Sequence, residues 1–167
     1  MRTQVGNPYF QEFILPLSGG ADITIDRGDG KREELGTSPN LVTTVGMNFL
    51  AQYVSSYGIG TNSQMTHMAI GTGTTVASIN QTVLTAERVR KAFSSVSVSA
   101  NSWTATTTFG GGSDSITGAV ITEVSVFNHP SSAQGVMWNR ILLTTNTFTL
   151  QASDIATVRV WSAIGSR

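Results

Sequence analysis

The sequence predicts a mainly β protein: an antiparallel β-sandwich with one packed α-helix and an extended N-terminal arm. Three observations carry this. From residue 65 onward, apolar and polar residues alternate in runs rich in Val, Thr and aromatics, the pattern of strands with unlike faces. Residues 40–57 repeat apolar side chains at three- and four-residue spacing, the helical period. Residues 1–38 show neither pattern for long. The expected division is an arm with a short hairpin or turn over 1–38, and a helix plus sandwich over 39–167.

In the arm, Phe10, Phe13, Ile14, Leu15 and Leu17 are apolar, but Pro8 and Pro16 limit regular structure. Ile23-Thr24-Ile25 is a short strand candidate. Asp26-Arg27-Gly28-Asp29-Gly30 follows it as a turn, and Lys31 to Glu34 is a solvated charge cluster. The arm has too few apolar residues for a core of its own. It is expected to dock on a neighbouring subunit or on the main domain.

The helix is expected over 40–57, with Leu41, Val45, Phe49, Leu50, Tyr53 and Val54 on one face. Asn40 or Thr43 caps its start. Gly46 lowers helix propensity but permits close approach to a sheet. Tyr57-Gly58-Ile59-Gly60 ends it. Strands are then expected around Val96 and Val98, from Trp103 to Phe109, from Val120 to Phe127 and from Thr157 to Ile164. Loops at Ala100-Asn101, Gly110–Asp114 and Asn128–Ser131 separate them.

The stretch Met65–Arg90 organises the rest. An apolar strand breaks at Gly71-Thr72-Gly73, where glycine permits a positive φ and a sharp turn. The chain returns to a sheet at Glu87-Arg88. The strand around Glu123 is apolar on both faces, so it is central and Glu123 is buried. A buried carboxylate needs partners. Candidates are Arg88, Arg90, Arg140 and the backbone N–H groups of the Gly71 corner.

Three segments carry a family resemblance. They are Ala69-Ile70-Gly71-Thr72-Gly73-Thr74-Thr75 with Thr82-Val83-Leu84-Thr85-Ala86-Glu87-Arg88, then Ile121 to Asn128, and Asn40 to Gly46. In order and spacing they resemble a small β domain of tailed-bacteriophage virion proteins, similar to the proximal domain of tail-fibre proteins. The resemblance covers residues 40 to 143. Ser125 departs from it, standing where the fibre pattern has Gly. The resemblance implies a non-catalytic virion component, assembled in the host cytoplasm, that binds tail, neck or capsid proteins. It implies a homo-oligomer, a trimer being one arrangement it allows. A tail or fibre-attachment role is slightly favoured over capsid decoration. The corner residues Gly71, Gly73, Glu87, Arg88 and Glu123 are then structural, and the apolar arm residues serve assembly.

Other chemistries find little support. Net charge is zero and the one basic cluster is Arg88-Val89-Arg90-Lys91, so no nucleic-acid partner is expected. Charged residues make up only 12% of the chain, about half the usual share, which leaves a Ser/Thr-rich surface suited to packing against other copies. There is no cysteine, hence no disulfide or zinc-thiolate site. No apolar run reaches bilayer length, and Glu12 and Pro16 interrupt the N-terminal apolar piece, so neither membrane insertion nor a signal peptide is expected. Gly71-x-Gly73 lacks the rest of a nucleotide-binding fingerprint. The acidic residues near Arg27-Gly28-Asp29 do not have calcium-loop spacing, and that tripeptide alone is a chance-level adhesion motif. His67 and His129 are the only histidines, and no nucleophile elbow accompanies them. No cofactor, metal or catalytic residue is expected. Trp103, Trp138 and Trp161 offer a glycan platform only if exposed; core packing is their ordinary use.

Overall fold

The computed structural model describes residues 17–55 and 64–165. The strands are β1 (Leu17–Asp26), β2 (Arg32–Val42), β3 (His67–Gly71), β4 (Glu87–Ala92), β5 (Ser95–Ser99), β6 (Ser102–Gly110), β7 (Val120–Ile121), β8 (Glu123–Phe127), β9 (Met137–Leu142), β10 (Phe148–Thr149) and β11 (Ile155–Ile164), with one helix, α1 (Thr44–Ser55), after β2. The alternating runs seen in the sequence become β5, β6, β7–β8 and β11. The turn after β1 forms as expected, with Gly30 at φ 85° and its N–H bonded to the Arg27 carbonyl at 3.0 Å.

Nine strands form one antiparallel sheet in the order β4-β3-β8-β9-β2-β1-β11-β6-β5. Where two separate sheets were expected, the hydrogen bonding is continuous and the sheet curls. Two corners produce the curl. β2 pairs with β1 up to Pro39 and with β9 from Asn40 onward. Pro39 has no N–H to donate, which suits a residue where the ladder changes sides. At the other corner β4 and β5, opposite ends of the strand order, are joined by Phe93 and Ser94 alone. That link brings the two ends within about 10 Å. Strands that bend from one layer to the next are the usual corner device of packed β layers.

The core lies inside the curl. Ile23, Phe109, Val158 and Val160 from one limb and Met68, Ile70, Val124, Val126 and Ile141 from the other belong to one buried cluster. β3, β8 and β9 are also covered on their outer side, where Ala69, Leu84, Phe127 and Met137 form a second cluster.

The expected arm is corrected in its second half. Residues 17–38 are β1 and most of β2, placed mid-sheet, with Ala21, Ile23 and Ile25 fully buried. They lack a core of their own but supply part of the shared one. Of the arm residues, Leu17 opens β1, opposite Ile164; Phe10, Phe13, Ile14 and Leu15 lie outside the described residues. The helix begins later than its periodicity indicated, because Asn40–Val42, including Leu41, pair with β9. Thr43 is the cap: its Oγ1 accepts the Gly46 N–H at 3.1 Å and donates to the Met137 carbonyl at 2.6 Å. Tyr57 to Gly60 also lie outside the described residues.

Candidate functional site

The predicted corner exists, and its centre is Glu123. Oε1 accepts the N–H groups of Gly73 (3.0 Å) and Ala86 (2.8 Å); Oε2 accepts that of Thr85 (3.1 Å) and the Nε–H of Arg140 (2.9 Å). Arg140 Nη2 lies 2.8 Å from Oε2 as an ion-pair contact off the hydrogen-bond axis. Neither side chain is exposed. Arg140 Nη1 then donates to the Thr75 carbonyl (2.7 Å) and to Gln81 Oε1 (3.0 Å). One ion pair therefore holds both ends of the loop between β3 and β4 over the outer face of the sheet. Register explains the meeting: Gly71 faces Glu123 across β3–β8, and Ser125 faces Arg140 across β8–β9.

Both classes of partner expected for Glu123 are used, and Arg140 is the arginine among them. The glycines act differently from expectation. Neither Gly71 nor Gly73 has a positive φ; they provide space. A Cβ on either would lie 2.5–2.6 Å from Glu123 Oε1, inside any tolerable contact. Glu87 and Arg88 do stand where the chain re-enters the sheet, but they are not a pair. Arg88 is exposed, and Glu87 binds Arg90 through Nε (3.0 Å) and Nη2 (2.7 Å).

Arg90, a candidate partner of Glu123 in the sequence, instead forms a second node with Glu87. Its Nη1 donates to the carbonyls of His129, Ser131 and Gln134 at 2.9–3.0 Å. Its guanidinium lies 3.5 Å from the centre of the Phe127 ring. It thereby fixes the loop between β8 and β9. Strand alternation alone would separate Glu87 from Arg90; a register shift in β4, opposite Ile70 and Gly71, puts both on one face and leaves Arg88 exposed.

The histidines sit beside this node. His67 Nδ1 is 2.7 Å from Thr66 Oγ1, and His129 Nδ1 accepts the Ser131 N–H at 3.1 Å. Burial, then the positive fields of Arg90 and His129, holds the His67 imidazole below its usual range. Among the described residues no group of three or more His, Cys, Asp or Glu is placed to hold a metal ion.

A depression of about 680 Å³ opens at the β1–β2 turn, between Arg27, Leu35, Phe148 and Asp154. Its charges are already matched. Arg27 donates to Glu33 Oε2 and Asp154 Oδ2, both at 2.7 Å, and these bonds raise its pKa, Glu33 contributing most. The Asp154 carboxyl, buried among the Gln151 N–H, Arg27 and the Gly28 N–H, is held below the usual carboxylate range by them in that order. The Arg of Arg27-Gly28-Asp29 is thus committed within the fold.

None of the three tryptophans is exposed. Trp103 and Trp138 meet edge to face at 6.2 Å, and Trp138 Nε1 donates to Ser162 Oγ at 3.1 Å.

Together these features define a class: a curled β domain with one docked helix, whose polar clusters brace loops. The chain matches no protein-family model, and no curated protein or solved structure matches it.

Proposed function

We propose that this protein is a structural component of a bacteriophage virion that acts by protein–protein assembly, with a tail or fibre-attachment position. The observation that carries the reading is the corner. Residues quoted for the resemblance to fibre proximal domains from separate segments, Gly71, Gly73, Thr85 and Ala86 on one side and Glu123 on the other, converge in one bonded unit. The two limbs of the curled sheet act as the layers of a sandwich and give a rigid body. Rigid modules repeated in many copies turn weak contacts into a stable particle.

In this reading the protein works in the virion after assembly in the host cytoplasm. Its partners are tail, neck or capsid proteins and other copies of itself, and it uses no cofactor, catalyses no reaction and binds neither nucleic acid nor membrane. The clusters described above support it: the charged groups at the corner, at Arg90 and at Arg27 are matched by neighbours within the fold. Half-buried and buried tryptophans weigh against a glycan platform.

The test is copy number in purified particles, by quantitative mass spectrometry against the major capsid protein. About a dozen copies or fewer are expected, as for a tail, neck or fibre-base component. A ratio near one per capsid subunit would move the protein to the head as a decoration protein. Absence from the particle would overturn the proposal.

A further inference from the structure

The two edges of the nine-stranded sheet are built differently. β4 carries Glu87, Arg88, Arg90 and Lys91 within six residues. Charges on an edge strand discourage pairing with other chains. β5 reads Ser95-Val96-Ser97-Val98-Ser99, and all five residues are exposed. It has no proline, no charge and no break in its register with β6. No charged residue occurs anywhere from Ala92 to Ser113. Val96 and Val98 are 54% and 76% exposed, although they stand opposite Ala105 and Trp103, on the face that elsewhere meets the core.

The main chain of β5 is also poised for a partner. Ser99 and Ser102 flank a two-residue turn, Ala100-Asn101, and face each other. Such a closing pair exchanges both hydrogen bonds, and the pattern alternates from there. Ser95, Ser97 and Ser99 therefore bond to β6, while the N–H and C=O groups of Val96 and Val98 point to the free edge. Among the described residues no main-chain partner meets these groups. The hairpin is firmly held, since the Ile164 N–H donates to the Asn101 carbonyl at 2.9 Å and the Asn101 side chain donates to the Ile164 carbonyl.

We infer that β5 is a self-association edge, and that its occupant is the β5 strand of a second copy, antiparallel about a twofold axis at Ser97. The argument is self-complementarity. Ser-Val-Ser-Val-Ser reads the same in both directions, so Val96 stands opposite the partner's Val98 and Ser95 opposite the partner's Ser99. The outward-pointing groups are then those that an antiparallel pair needs: Val96 and the partner's Val98 exchange two N–H···O bonds, as do Val98 and the partner's Val96. No charge opposes another, and the four valines close one apolar strip beside Trp103. An isologous contact of this kind makes a closed pair; a threefold assembly would need a second interface. The inference rests on the self-association in the proposed function and names its surface.

The test is sedimentation velocity of the full chain over a concentration series, with thermal unfolding of each variant. The wild type is expected to form a dimer. Val98→Pro removes an N–H that only the partner uses, and an edge strand accepts proline there. It is expected to weaken the dimer about 30-fold without lowering the melting temperature of the monomer. Val96→Lys with Val98→Lys sets like charges opposite each other and is expected to give a monomer. Val96→Glu with Val98→Lys sets opposite charges together and is expected to restore a dimer that salt weakens. If Val98→Pro disrupts the hairpin itself, the two charge variants, both at exposed positions, decide the matter. A wild type that stays monomeric at about 100 μM, well above the Kd of an ordinary specific contact, would overturn self-association as a whole. An oligomer whose mass is unchanged in the charge variants would overturn the β5 contact and leave self-association standing.

Discussion

Arg140 Nε and Nη2 approach the same oxygen of Glu123, at 2.9 and 2.8 Å, in a site where neither side chain has exposed surface. Removing two charges from water is costly, and their attraction offsets that cost only when the remaining donors and acceptors are also satisfied. Here three backbone N–H groups complete the carboxylate. The pair therefore serves less as a source of net stability than as a device that specifies where the β3–β4 loop lies.

Glu123→Ala leaves Arg140 buried without its anion and frees three N–H groups. A loss of roughly 3–5 kcal/mol is expected, read by chemical denaturation, with a fall in melting temperature on the order of 10 °C. Glu123→Gln keeps part of the hydrogen bonding and is expected to lose less. A Glu123→Ala protein as stable as the wild type would show that the corner is not organised by this pair.

Gly46→Ala separates helix propensity from packing. On an isolated helix the change stabilises by about 1 kcal/mol. In this fold the new Cβ would lie 2.3 Å from the Trp138 carbonyl oxygen, so α1 must move off β9. Net destabilisation of about 1–3 kcal/mol is expected in equilibrium unfolding. A more stable variant would mean that the helix is not seated on the Trp138 backbone.

Arg90→Lys keeps the charge but loses the planar fork that serves Glu87, three carbonyls and the Phe127 face at once. A stability loss of about 1–3 kcal/mol is expected. Hydrogen exchange should quicken most between Asn128 and Val136, the loop that Arg90 holds. Exchange unchanged there would remove Arg90 from that role.

His67 gives the fold a pH dependence whose sign follows from its lowered pKa. Above about pH 6.5 the imidazole is neutral in both folded and unfolded chains. As pH falls below that value the unfolded chain takes up the proton first, so stability is present at neutral pH and declines toward acid. His67→Gln is expected to flatten the melting-temperature profile below about pH 6.5; superimposable profiles for the two proteins would sink the assignment. Asp154, Glu33 and Asp29 also titrate at lowered values, but their contributions disappear only in more acidic solution.

What the sequence determined by itself was local. Strand alternation from Val96 to Phe109 and along β8 and β11, the Gly30 turn, the Thr43 cap and the need of Glu123 for partners all follow from neighbours within a few residues. Gly46 was legible as a site of close approach for the same reason. The tertiary structure decided what depends on strand pairing across long separations. It placed residues 17–38 inside the sheet, gave Leu41 to β2 instead of the helix, and replaced the two expected layers by a nine-stranded sheet that bends at Pro39 and at Phe93-Ser94, with β7 and β10 paired apart from it. It also selected Arg140 for Glu123 and Arg90 for Glu87. Three arginines were chemically equivalent candidates; register chose among them, because β8 and β9 are neighbours in the sheet while Arg88 faces water. A polar alternating strand carries the same local signal whether its edge is covered or open, so only the assembled sheet reveals that β5 ends it without protection.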